Sequence, residues 1–130
     1  MNKQEIRVLV VDDDKLMREV LKAILRDEGY VVAGEATNGD SALALCGKLR
    51  PDAVCLDVNM PGKSGLEVLK SLRKAHPDTR VVIVSGDASM STVREAVGLG
   101  AMGYIIKPFN AGRVADTLKA CLSAGGDPFG

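Results

Sequence analysis

The sequence predicts an α/β fold built as a doubly wound parallel sheet, and three observations predict it. Five short apolar runs of strand length alternate strictly with five segments whose apolar residues recur at helical spacing. The runs are nearly continuous in Val, Ile and Leu, as strands covered on both faces must be. Four of the five end in hydrophilic residues, which places those residues together at the carboxyl edge of the sheet, where open parallel sheets bind ligands.

Taken in order, Ile6 to Val11 is the first strand, and it stops at Asp12, Asp13 and Asp14. Leu16, Met17, Val20, Leu21, Ile24 and Leu25 then mark a helix that Asp14 caps and Gly29 ends. Tyr30 to Ala36 reads as a second strand, and its Gly34 and Glu35 suit a sheet edge better than a centre. Asn38 caps a helix striped by Ala42, Leu45, Cys46 and Leu49, which Pro51 terminates. The run from Ala53 ends at Asp57; a turn with Pro61 and Gly62 follows, and Ser64 to Glu67 forms a capping box for a helix marked by Leu66, Leu69 and Leu72. That helix ends before Pro77. Val81 to Val84 is the fourth strand and leads into Ser85, Gly86 and Asp87, and Thr92 to Glu95 offers a capping box for a helix carrying Val93, Ala96 and Val97. Met102 to Ile106 is the fifth strand, closed by Lys107, Pro108 and Phe109, and the last helix runs from Asn110 with Val114, Thr117, Leu118, Cys121 and Leu122 on one side. Asp52 and Asp78 read as turn residues beside prolines, and His76, the only histidine, as a solvated residue at a helix end.

At 130 residues the chain matches one ordinary domain, with one folded body over 5–123 and a tail or linker start over 124–130. Lys plus Arg equals Asp plus Glu at 17 each, so no net field draws the chain to nucleic acid or anionic lipid. Cys46, Cys55 and Cys121 are odd in number, sit in apolar patterns and share no CxxC spacing. They read as buried thiols of a reducing compartment, with zinc not indicated. Met1 to Arg7 lacks the apolar core of a signal peptide and no segment has spanning length, so the expected location is the cytoplasm, with no membrane partner.

A lone carboxylate such as Asp57 at a strand end serves as metal ligand, nucleophile or turn residue, and the last is the commonest. The neighbouring strand ends change that weighting, because Asp12 and Asp13, Asp57, Ser85 and Lys107 converge. Carboxylates about 4 Å apart repel by roughly 4 kcal/mol in a protein-like dielectric, so a proton or a cation must sit among them. All-oxygen ligands without His or Cys favour a hard ion that keeps waters, which suits Mg²⁺. Asp13 and Asp57 are the expected direct ligands and Asp12 a contact through water. A hydroxyl at Ser85 and an ammonium at Lys107, expected on the opposite side of the site, supply what the oxygens of a phosphoryl group need. Asp57, with no other task, is the expected nucleophile, forming an acyl phosphate.

These residues resemble the response-regulator receiver domain over about Glu5 to Leu122. The matching motifs are Asp12-Asp13 after the first strand, Asp57 followed by Met60-Pro61 and Gly65, Ser85-Gly86 after the fourth, and Lys107-Pro108-Phe109 after the fifth. Asn59 two residues after Asp57, and Tyr104 three before Lys107, make the chain most similar to the single-domain chemotaxis type. The resemblance implies a flavodoxin-like (βα)5 sheet of strand order 2-1-3-4-5. It also implies Mg²⁺ held by Asp13, Asp57 and the backbone carbonyl of Asn59, and a cis bond before Pro108. Phosphorylation of Asp57 would come from a histidine kinase or phosphotransfer protein. Ser85 and Tyr104 become a switch pair, and the fourth helix, fifth strand and fifth helix the surface for a target protein, an effector domain or a phosphorylation-dependent dimer. Asn59 and Asp87 are implied to tune hydrolysis, giving a short-lived phosphoryl state.

The rival reading is a phosphatase of the haloacid-dehalogenase type, since Asp12-x-Asp14, Ser85 and Lys107 mimic that family's first three motifs. Leu16 stands where that pattern wants Thr or Val, no acidic pair follows Lys107, and Asp57 is left without a role. A phosphorylation-independent binding module is disfavoured by the intact acids, Ser85 and Lys107. Nucleotide binding is disfavoured because no GxxxxGK[ST] or GxGxxG opens a helix. The expectation is therefore a phosphoryl-accepting signalling domain and not an enzyme.

Overall fold

Strand residues that alternate between two covered faces produce two separate cores, and the computed structural model, which describes residues 6–123, has them. Glu5 and the expected 124–130 tail lie outside the described residues. The elements are β1 (Arg7–Val11), α1 (Lys15–Asp27), β2 (Val31–Ala36), α2 (Gly39–Leu49), β3 (Ala53–Leu56), α3 (Gly65–Ala75), β4 (Arg80–Ser85), α4 (Met90–Gly98), β5 (Gly103–Ile106) and α5 (Ala111–Leu122). The strands are all parallel in the order β2-β1-β3-β4-β5, as expected.

Leu9, Val11, Val54, Leu56, Val81 and Ile83 point to the face covered by α2, α3 and α4, where Ala42, Cys46, Leu69 and Leu72 meet them. Val8, Val10, Cys55, Val82, Val84 and Ile105 point to the other face, against Leu21 and Leu25 of α1 and Val114 and Leu118 of α5. All three cysteines are buried thiols outside any disulfide, and burial pushes the Cys46 thiol up to about 11 and that of Cys55 to about 12. Among the described residues no helix is long and apolar enough to cross a membrane.

β2 is an edge strand, and its pairing with β1 skips from Val8↔Val32 to Leu9↔Gly34, so Ala33 is the extra residue of a bulge. Asp52 does more than turn the chain: its Oδ2 accepts from the Arg7 N–H at 2.8 Å and ties the start of β3 to β1. The caps at Asp14, Asn38, Ser64 and Asn110 fall as expected. The fourth helix departs from expectation. It starts at Met90 under an Ser89 cap, whose Oγ accepts from the Thr92 N–H, so Thr92 lies inside the first turn. The Thr92-x-x-Glu95 spacing misled because the true cap pairs Ser89 with Thr92, where the usual signature has Glu or Gln.

Candidate functional site

Each site residue is delivered by the end of a strand. Asp12 continues β1, its N–H donating to the Ala36 carbonyl at 3.1 Å, and its carboxylate is 1 % exposed. Asp12 Oδ1 accepts from the Asp14 N–H at 2.9 Å and Oδ2 from Lys107 Nζ at 2.7 Å. Asp57 continues β3, its N–H bonded to the Val11 carbonyl at 3.0 Å, and is 5 % exposed. Its Oδ1 accepts from the Asn59 N–H at 3.1 Å, and its Oδ2 lies 3.5 Å from Lys107 Nζ. Asp13 is exposed, and carboxylate oxygens of Asp12, Asp13 and Asp57 all lie within 4.8 Å of one another.

The turn after Asp57 depends on glycine. Gly62 has φ of 77°, the left-handed region that a side chain disfavours. Gly65 opens α3 with its N–H on the Val58 carbonyl at 2.9 Å, and a Cβ there would stand 2.1 Å from the Asp57 carbonyl oxygen. The helix start therefore packs directly on the backbone that carries Asp57.

Lys107 pairs directly with two of the acids. Its ammonium lies among them, bonded to Asp12 and close to Asp57, because β5 pairs with β4 and the Lys107 N–H continues that ladder to the Ser85 carbonyl at 2.9 Å. The Lys107–Pro108 bond is cis. Burial pushes the Asp57 carboxyl above the usual range, assisted by the Asp12 charge and opposed by the Asn59 N–H and the Lys107 ammonium. Burial also works to lower Lys107, but the Asp12 hydrogen bond and the two carboxylate charges together outweigh it, and its net shift is upward.

Ser85 is fully buried at the end of β4, its Oγ accepting from the Asp87 N–H at 3.1 Å. Tyr104, half-buried on β5, donates its hydroxyl to the Asp87 carbonyl. Desolvation raises its pKa, partly countered by the polar Ser85 side chain. The two residues thus meet on one loop. The Asp87 carboxylate is engaged elsewhere: Oδ1 accepts from the Ser89 N–H at 2.9 Å and Oδ2 from the Thr92 hydroxyl at 2.8 Å, at the start of α4. The Ser89 side chain, with the Ser89 N–H and the Thr92 hydroxyl, holds the Asp87 carboxyl below the usual range. Asn59, exposed, stays beside Asp57.

The donor chemistry fits a hard divalent cation such as Mg²⁺. The oxygens are all carboxylate, and the exposed Asp13 leaves room for retained waters. Both Asp12 oxygens already hold partners, the Asp14 N–H and the Lys107 ammonium.

Sequence reasoning missed Arg18. Its Nη1 donates to the Asp12 carbonyl at 2.8 Å and its Nε to Glu35 Oε1 at 2.8 Å. The available signal was an arginine one turn into α1, on a helix whose neighbouring edge strand ends in an acid.

An acid-lined strand edge, a half-buried lysine and a buried serine on a 2-1-3-4-5 sheet define a class, and comparison identifies it. The chain belongs to the response regulator receiver domain family, whose description matches residues 8–119. Within two-component signalling it is of the CheY-like type. It is 41% identical over 113 residues to the chemotaxis protein CheY of Thermotoga maritima, covering 87% of this chain and 94% of that one. It is 34% identical over 116 residues to the sporulation initiation phosphotransferase F of Bacillus subtilis, covering 89% and 93%. Among solved structures, the signal receiver domain of the putative response regulator NarL from Mycobacterium tuberculosis superposes with TM-score 0.86 at 33% identity, over 92% of this chain and 97% of that one. CheY of Borrelia burgdorferi, solved as a CheX-CheY-BeF3-Mg²⁺ complex, gives 0.86 at 26% identity, over 88% and 87%.

Proposed function

We propose that this receiver accepts a phosphoryl group on Asp57 from a histidine kinase or phosphotransfer protein, with Mg²⁺ bound at the acidic cluster. The observation that carries this reading is the buried Asp57 carboxylate, with Lys107 Nζ 3.5 Å away and the oxygens of Asp12 and Asp13 within 4.8 Å. Asp13, Asp57 and the Asn59 backbone carbonyl would hold the ion, with Asp12 through water. When bound, Mg²⁺ supplies positive charge against the phosphoryl oxygens. An Asp57 carboxylate oxygen attacks phosphorus; the P–N bond of the donor phosphohistidine breaks and its electron pair returns to the imidazole nitrogen. Lys107 pairs with a phosphoryl oxygen, and the Ser85 hydroxyl turns to donate to another.

That turn releases the Asp87 N–H from Ser85 and, through the same loop, bears on Tyr104 and the start of α4. The proposed switch is a population shift that favours an inward Ser85 and Tyr104 and alters the surface of α4, β5 and α5 for a target protein, an effector domain or a second copy. The CheX complex of the Borrelia relative supports a protein partner. Asn59 beside Asp57, and Asp87 from the α4 cap, tune a short-lived phosphoryl state. The proposed unit is a receiver spanning 5–123 with a tail or linker start over 124–130, and it works in the cytoplasm.

The test is incubation with Mg²⁺ and a small phosphodonor, followed by mass analysis. One base-labile phosphoryl group is expected on the wild type and none on Asp57→Asn. Phosphoryl transfer to Asp57→Asn at the wild-type rate would overturn the assignment, and steady turnover of a generic phosphate ester would favour the phosphatase reading.

A further inference from the structure

We propose that Arg18 is a positioning residue for the divalent cation site: by holding the Asp12 carbonyl it sets the direction in which Asp13 presents its carboxylate. The inference rests on the cation reading of the acidic cluster.

Asp13 is exposed and follows directly on Asp12, so its position is set by the backbone that leads into it. The peptide group joining the two is planar, and fixing the Asp12 carbonyl fixes the Asp13 nitrogen with it. Arg18 does this from one turn into α1, its Nη1 2.8 Å from that carbonyl oxygen. The guanidinium is itself held. Its Nε donates to Glu35 Oε1 at 2.8 Å, Glu35 Oε2 takes Lys22 Nζ at 2.6 Å, and the Arg18 side chain is only 12% exposed. Glu35 precedes Ala36, whose carbonyl accepts the Asp12 N–H at 3.1 Å. Both backbone groups of Asp12 are therefore tied to the end of β2, one directly and one through Arg18, while its Oδ1 takes the Asp14 N–H on the far side of Asp13. The exposed ligand is flanked by pinned groups.

A planar, forked donor serves two acceptors at once, which an ammonium does not do with the same geometry. The simpler reading is a salt bridge that fastens α1 to the edge strand. The two roles differ in sign at the ion. Arg18 carries positive charge close to the acids, so removing it on electrostatic grounds alone strengthens cation binding. Loss of positioning weakens it, as removal of groups that orient metal ligands does, by about 10-fold or more.

Magnesium titration calorimetry on the full chain, beside thermal melts, separates these outcomes. Arg18→Gln is expected to weaken Mg²⁺ binding about 10-fold, and Arg18→Lys to weaken it less. Glu35→Gln keeps one oxygen for Arg18 but loses the charge and the acceptor for Lys22, so it should lower the melting temperature slightly and change Mg²⁺ affinity far less than Arg18→Gln does. Arg18→Gln and Arg18→Lys that bind Mg²⁺ as tightly as the wild type, or more tightly, overturn the proposal. The readout is independent of phosphoryl transfer: a wild type that binds Mg²⁺ but takes no phosphoryl group refutes the function proposed for Asp57 and leaves the role of Arg18 standing.

Discussion

The α1–β2 side and the α4–β5 side of the molecule are held by different kinds of contact. α1 buries Leu21, Lys22 and Leu25 and is fastened to the edge strand by Arg18 and Lys22 on Glu35. α4 buries only Ala96, and its start is held by polar bonds from Asp87, Ser89 and Thr92. Apolar burial is worth roughly 25 cal/mol per Å², whereas an exposed hydrogen bond nets about 1 kcal/mol. The first side is therefore firm where it presents Asp12 and Asp13, and the second is cheap to rearrange where Ser85 and Tyr104 meet α4. The proposed function, an ion held at one edge and a surface that moves at the other, calls for both.

The largest expected effect tests the burial half of that comparison. Leu25→Ala, at a side chain with no exposure, should cost about 3 kcal/mol of stability. Val97→Ala on α4, only half-buried, should cost less than about 1 kcal/mol. Equal midpoint shifts of the two variants in urea unfolding would remove the distinction between the sides.

The middle effect concerns the polar tether. Thr92→Val deletes the hydroxyl that donates to Asp87 Oδ2, for about 1 kcal/mol. The loss should be local: faster amide hydrogen exchange at the start of α4, with α1 amides unchanged. Acceleration spread evenly over both helices would mean that α4 is not separately tethered.

The smallest effect is a pH dependence on the firm side. Hydrogen bonds from Lys22 and Arg18 hold the Glu35 carboxyl below the usual carboxylate range. The unfolded chain then binds more protons than the folded one, so Glu35 adds stability above its unfolded pKa of about 4.3 and loses it as pH falls through the lower folded value. With the Glu35 side chain 37% exposed, water screens the pair, and its worth at neutral pH is about 0.5 kcal/mol. Glu35→Gln should therefore be less stable than wild type at pH 7, and the gap should close in acid. A gap that widens in acid would show that the pair is not the source.

How far the sequence reaches differs between the two sides in the same way. The strand edge carrying Asp12, Asp13, Asp57, Ser85 and Lys107 was legible because each residue ends an apolar run, and parallel strands bring such ends together. The α4 start was not, since Thr92-x-x-Glu95 looked more like a cap than Ser89-x-x-Thr92 does. Arg18 was silent for a related reason: on a helical pattern an arginine is an exposed charge until an edge strand is placed beside it.

By itself, the sequence determined the alternation of strands and helices, the two faces each strand must cover, and the residues at each strand end. Those follow from local periodicity and from the cost of exposing Val, Ile and Leu to water. Only the tertiary structure decided that Lys107 sits among the acids, that Asp87 gives its carboxylate to α4, and that Glu35 holds Arg18 against the Asp12 carbonyl. Each of those is a choice among several polar partners within reach, and pairing across distant parts of the chain is settled by where the packed backbone leaves the side chains.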